Sequence, residues 1–314
     1  MLDSAIESGN DVGEKGFAVS RARILSISAV AVLALALLAP AALGQSSEEP
    51  SDPSAQPRTP SSGSVAPSEV SAEQNVDAAQ VAVGGPVIIM GIDAEDGGVG
   101  SHGPIGVYEG VTTNVLANVK NGGAGILVLG GGKAADDVTE FWDAVSSGTG
   151  IPVTYANGAA VGTQSFAGFA IVAVVSGDDE TSDGGLTAVE CQALAARQQD
   201  FFDHVNGGGG LIVFAQDVVG GAGCEYAFFG GFGGFTFTTG VSYNDIDVTP
   251  AGATAGLSDA LDVTAWHDTY QTFPPFLQVL ATVALDQGDP SGQVAALGGA
   301  SVVIPGELVV AFTG

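Results

Sequence analysis

Four short apolar runs limit what this chain can fold into: Val87-Ile-Ile-Met-Gly-Ile92, Gly125-Ile-Leu-Val-Leu129, Phe169-Ala-Ile-Val-Ala-Val-Val175 and Leu211-Ile-Val-Phe214. None alternates with polar residues, so a strand built from any of them needs cover on both faces. The stretches between them repeat at helical spacing. Tyr108, Val111, Val115, Leu116 and Val119 form one set, and Val138, Phe141, Trp142 and Val145 form a second. Leu186, Leu194, Phe201, Phe202 and Val205 predict one long helix, with His204 on its solvated side. Asp137 with Glu140 makes a capping-box-like start for the second helix. A shorter strand is expected at Pro152-Val-Thr-Tyr155. Strands covered by helices on both sides imply an α/β domain with a doubly wound, mostly parallel sheet. Beyond Gly220 the chain becomes Gly- and Phe-rich, with Phe228-Phe-Gly-Gly-Phe-Gly-Gly-Phe-Thr-Phe237, and short strands are expected at 279–283, 294–297 and 308–312.

The N-terminal part reads differently. Lys15, Arg21 and Arg23 precede an uncharged apolar run from Ile24 to Leu43, which ends in Ala42-Leu43-Gly44 before Gln45. A basic region, an apolar region and small residues at a cleavage site make residues 1–44 a signal peptide. The alternative is an uncleaved anchor, since Ile24 to Gly44 is just long enough to span a bilayer. Either way the rest lies outside the cytoplasm, and the expected localisation is secreted. Residues 45–80 are rich in Ser, Pro and Glu, with too little apolar surface to offset ordering entropy, so they read as a disordered linker. Residues 81–314 form the globular domain.

That domain is strongly acidic. From Val81 onward 25 Asp and Glu face only Lys120, Lys133 and Arg197, in a chain of formal net charge −28. Nucleic acid and anionic lipid both require clustered Lys or Arg, so neither a nucleic-acid partner nor membrane contact by the mature domain is expected. Acidity favours solubility and attracts cations.

Several segments resemble the class I glutamine amidotransferase-like superfamily, and within it the trehalose-utilisation (ThuA-type) branch. They are Ile126-Leu-Val-Leu-Gly-Gly-Gly132, Phe202-Asp-His-Val-Asn-Gly-Gly-Gly-Gly210 running into Leu211-Ile-Val-Phe214, Gly256-Leu-Ser-Asp-Ala-Leu-Asp262, and Trp266-His-Asp-Thr-Tyr270. The resemblance spans roughly Val87 to Gly299 and implies a flavodoxin-like or amidotransferase-like sheet. It also implies a nucleophilic Cys on the turn after Leu211–Phe214, where this chain has Ala215-Gln216-Asp217. Amidotransferase activity is therefore not expected.

Four candidate sites follow. Asp179, Thr181, Asp183 and Glu190 occupy positions 1, 3, 5 and 12 of a calcium-loop pattern, with Gly184 at position 6; the competing reading is an acidic strand-to-helix loop. Asp93, Glu95, Asp96 and His102 follow the first strand, Gln216 and Asp217 the fourth run, and His267 and Asp268 come late. A doubly wound sheet could bring these together at its strand C-termini for metal binding or acid–base work. Among them Asp93, His102, His267 and Asp268 are the catalytic candidates. Gly130-Gly-Gly-Lys-Ala-Ala135 fits a nucleotide-binding spacing poorly and reads better as a tight turn. Cys191 and Cys224 either form a disulfide or leave Cys191 as a buried thiol.

With no recognisable nucleophile, the first expectation is a non-catalytic binding or cell-surface module for carbohydrate or a cell-envelope component. Trp266, Tyr270 and the Phe-rich segment would be its stacking faces. The alternative is a metal-assisted hydrolase or sugar-processing enzyme at the strand C-termini.

Overall fold

A computed structural model describes residues 82–134, 136–177, 184–216, 226, 235–262, 266–284 and 292–305. The chain divides into Met1–Ala72, which lies outside the described residues, and Glu73–Gly314, to which everything below belongs.

Five strands carry the parallel part of the sheet. They are β1 (Gly85–Met90), β2 (Ile126–Leu129), β3 (Val153–Ala156), β4 (Ile171–Val174) and β5 (Gly210–Phe214), in the spatial order β3-β2-β4-β5-β1. Every residue of β1, β2, β4 and β5 is buried, as their unbroken apolar sequence requires. Helices α1 (Ile105–Asn118), α2 (Asp137–Thr149), α3 (Ala188–Ala195) and α4 (Gln198–Asn206) lie between them in sequence. Their buried residues, including Tyr108, Phe141, Trp142, Leu194 and Phe201, join the same core as the strands.

The sheet as a whole is mixed, which corrects the expectation of a mostly parallel one. Beyond β1 come β10 (Val294–Val302), β8 (Thr269–Thr272) and β6 (Thr236–Thr238). β9 (Gln278–Val283) and β7 (Ile246–Val248) pair off that path, and every pairing from β1·β10 outward is antiparallel. A parallel return needs a crossover of a dozen or more residues, usually a helix. After β5 the described helix is the six-residue α5 (Pro250–Ala255), too short for that role.

Three further corrections concern helices. The single long helix is two, α3 and α4, interrupted at Ala196 and Arg197. His204 is not solvated; it is buried, with Nε2 3.1 Å from the Gly210 carbonyl. The second helix starts one residue off its expected cap: Asp136 is the N-cap and its carboxylate accepts from Thr139 N–H. The expected strand at 308–312 lies outside the described residues. No described helix is long and apolar enough to cross a membrane.

Candidate active site at the strand C-termini

The first strand delivers its acids to one point. Past Met90, Gly91 is a close-approach residue, since a Cβ there would sit 2.1 Å from the Asp268 carbonyl oxygen. Its own carbonyl accepts from His267 N–H at 2.7 Å and Asp268 N–H at 3.0 Å. Trp266 bridges back to both Ile92 and Tyr243. The segment 266–268 is thereby held against the end of β1, although about 175 residues of sequence separate them.

The second half of the site is a glycine-rich loop. Gly97, Gly98, Gly100 and Gly103 all have positive φ, from 68° to 107°, a region that side-chain-bearing residues rarely enter. They let the chain turn back so that His102 Nδ1 reaches the Asp93 carbonyl at 2.8 Å. Tyr108, the buried anchor of α1, donates to the His102 carbonyl and fixes the far end of the loop.

Asp93 is the centre. It is 0% exposed, and its Oδ1 lies 3.2 Å from His102 Nδ1 and 3.3 Å from His267 Nε2. Neither contact is aligned as a hydrogen bond, and neither Oδ1 nor Oδ2 has a hydrogen-bond partner. The two histidines remain partly open, with side chains 17% and 19% exposed. His267 Nδ1 is 3.0 Å from the Val241 carbonyl, so that nitrogen carries a proton. Burial lowers the His267 pKa, but the Asp93 carboxylate beside it, the Val241 carbonyl and the charge of Asp268 outweigh this and raise it overall. Asp96 completes the group: one ligand atom each from Asp93, Asp96 and His102 lie within 4.8 Å of one another.

Behind Asp93 sits a second buried acid. Glu95 accepts from Trp142 Nε1 at 3.1 Å and Ser176 Oγ at 3.2 Å. Desolvation pushes it up to about 8, against the two hydrogen bonds, so it holds a proton at neutral pH. Asp268, also fully buried, accepts from Tyr226 Oη at 3.1 Å, and Tyr226 Oη lies 2.8 Å from Tyr270 Oη.

Asp93, Asp96 and His102 thus converge, His267 Nε2 meets Asp93 from another side, and Asp268 adjoins through the backbone. Gln216 follows Ala215, whose N–H donates to the Ile92 carbonyl at 3.1 Å, while Asp217 lies outside the described residues. The roles of Trp142, Ser176 and Tyr226 were not apparent in the sequence. In the sequence Trp142 is one of the apolar positions of the second helix.

The other candidates come out differently. Asp179, Thr181 and Asp183 lie outside the described residues. Glu190 is buried and fully engaged: Oε1 accepts from Gly158 N–H at 2.6 Å, and Oε2 from Thr187 N–H, Thr187 Oγ1 and Lys133 Nζ at 2.8, 2.9 and 3.0 Å. Lys133 also donates to the Gly184 and Gly185 carbonyls, so an ammonium stands where that carboxylate and those carbonyls converge. The Gly130–Gly132 turn is closed by its own chain, with Asn157 Nδ2 on the Gly131 and Gly132 carbonyls. Cys191 is disulfide-bonded; Cys224, the chain's other cysteine, lies outside the described residues. Trp266 is 0% and Tyr270 3% exposed, so neither presents a face for sugar stacking.

A cavity of about 580 Å³ opens elsewhere, among Asn121, Phe166, Arg197, Asp200, Asp203 and His204. Several of these residues precede the N-terminal ends of β2, β4 and β5, far in the fold from the acid cluster. The Arg197 guanidinium stacks 4.0 Å over Phe166 and donates to the Val161 and Gln164 carbonyls and to Asp200. That arrangement ties loops together.

Neither a protein-family model nor a curated protein nor a solved structure matches this chain.

Proposed function

We propose that the globular part is an exported enzyme of hydrolytic or sugar-processing type, with its reaction centre at Asp93, His102 and His267. The observation that carries this reading is the fully buried Asp93 carboxylate between two half-open imidazoles, with neither oxygen hydrogen-bonded. A structural carboxylate at 0% exposure normally collects donors. The burial of Trp266 and Tyr270 takes away two of the stacking faces expected of a carbohydrate-binding module; the third, the Phe-rich segment, lies outside the described residues from 227 to 234.

The roles follow from which ring nitrogen is occupied. His102 Nδ1 is held by the Asp93 carbonyl and faces its carboxylate, so the proton sits on Nδ1 and the lone pair on Nε2. Nε2 takes a proton from water as the water oxygen bonds to the scissile carbon. The same proton then passes to the leaving group as its bond breaks. His267, anchored through Nδ1 to the Val241 carbonyl with Nε2 3.3 Å from Asp93 Oδ1, holds the second side of Asp93 in place. Asp93 in turn stabilises the His102 imidazolium that forms during proton transfer.

The test is a panel of ester, amide, glycoside and phosphoester substrates offered to the full chain. Turnover of one class, reduced about 100-fold or more by His102→Ala, is the expected result. No turnover of any class, or turnover indifferent to His102→Ala, sinks the reading.

A further inference from the structure

We propose that Asp93, Asp96, His102 and His267 hold one divalent transition-metal ion, of the class that accepts mixed imidazole and carboxylate ligands, with zinc as its representative. The inference rests on reading the Asp93 cluster as the reaction centre, and it changes one role there: His102 Nε2 cannot bind an ion and take a proton at once, so an ion held at the cluster would activate the water in place of the His102 base.

The first argument is the His267 tautomer. Its Nδ1 donates to the Val241 carbonyl at 3.0 Å, so in the neutral ring Nε2 carries a lone pair. That lone pair lies 3.3 Å from Asp93 Oδ1, another electron pair. Two lone pairs do not face each other at that distance without a positive charge between or beside them. Either a proton or a metal ion supplies it. An imidazole whose remote nitrogen is fixed by a backbone carbonyl is also the usual outer arrangement of a metal-ligating histidine. His102 differs: its Nδ1 meets both the Asp93 carbonyl at 2.8 Å and Asp93 Oδ1 at 3.2 Å, which leaves Nε2 as its ligand nitrogen.

The second argument is Asp93 itself. Both carboxylate oxygens are buried without a hydrogen-bond donor, and burying an unpaired charge is costly. A cation bound in common with Asp96 and His102, whose ligand atoms already lie within 4.8 Å of those of Asp93, removes that cost. The third argument concerns the ion's identity. Calcium and magnesium prefer oxygen alone, whereas two imidazoles with two carboxylates suit zinc, manganese or iron(II).

The experiment uses the full chain, stripped with a chelator and dialysed, then titrated calorimetrically with zinc, with metal content measured after gel filtration. One zinc per chain is expected. His267→Ala and Asp96→Asn should each weaken zinc binding at least about 10-fold, while Asp247→Asn, an exposed acid on β7, should leave it unchanged. Asp96→Asn matters because its loop position makes it the safer variant to fold. No zinc retained, or zinc bound equally by all variants as a diffuse response to the acidic surface, overturns the proposal. The substrate panel, run with and without zinc, separates the two readings. Turnover by the metal-free protein removes the ion and keeps the enzyme. Zinc bound at the cluster without turnover of any substrate keeps the ion and removes the enzyme.

Discussion

The two ends of the parallel strands both bury charged and titratable side chains, and they treat them in opposite ways. At the N-terminal end Arg197 and His204 finish on backbone carbonyls, those of Val161, Gln164 and Gly210. Their neighbour Gln198 is an exception, with Nε2 buried and unpartnered. At the C-terminal end Asp93 finishes on nothing that donates to it, and Glu95 is forced to keep a proton. The cavity of about 580 Å³ lies at the first end, and the unsatisfied chemistry lies at the second. A buried charge already satisfied by its own chain has little left to offer a ligand, so an unsatisfied one is the better marker of a site.

Substitutions can break this comparison, and the largest effect is expected at the satisfied end. Arg197→Ala orphans two carbonyls and should cost about 3 kcal/mol or more in a urea unfolding curve. A loss under about 1 kcal/mol would show that the guanidinium is not a strut.

The pH dependence of stability should separate the ends next. Burial lowers His204 to about 4 from the 6.5 of the free side chain. Its contribution is full above 6.5 and disappears as the pH falls toward about 4, amounting to about 3 kcal/mol. Glu95 acts with the opposite sign. Raised to about 8 from 4.5, it contributes fully below 4.5 and progressively less as the pH climbs to about 8. Unfolding midpoints measured from pH 4 to 8.5 should therefore pass through a maximum. His204→Gln should flatten the acid limb, and Glu95→Gln, whose carbonyl oxygen still accepts from Trp142 while its amide N–H donates to Ser176 Oγ, should flatten the other.

Gly91→Ala tests how the late segment is seated. A Cβ 2.1 Å from the Asp268 carbonyl must push residues 266–268 away, at a cost of about 1–3 kcal/mol. Zinc binding should fall with it, because His267 moves off Asp93. The smallest effect is expected for Asp93→Asn, within about 1 kcal/mol of wild type in metal-free protein, because it removes a charge that lacks donors. A large loss there would make Asp93 a structural residue and erase the contrast between the ends.

Much of the parallel half was legible because its signal is local. Residues 87–90, 126–129 and 211–214 are uniformly apolar, and such runs have few other outcomes. The antiparallel half was not, because Val294–Val302 reads as a strand in either direction; its pairing with β1 is antiparallel, and no long crossover helix precedes it among the described residues. His204 was misplaced because a continuous helical phase was carried through Ala196 and Arg197, where the helix breaks. The cluster of Asp93, His102 and His267 was reachable from the rule that loops at strand C-termini carry chemistry. What escaped the sequence was the set of backbone partners: the Val241 carbonyl that fixes the His267 tautomer, and the Gly91 carbonyl that seats it. Backbone groups leave no mark in residue identity.

Lys133 and Arg197 both turn inward to hold carbonyls, and Lys120 is the one other basic residue from Val81 onward. The exterior of this domain is therefore almost wholly anionic, and its long-range field draws small cations toward the surface while repelling anions. Ion capture by the Asp93 cluster should be fast in dilute buffer and slow markedly as the Debye length shrinks with added salt. An anionic substrate would approach against that same field, which makes neutral or cationic substrates the faster partners by encounter rate alone.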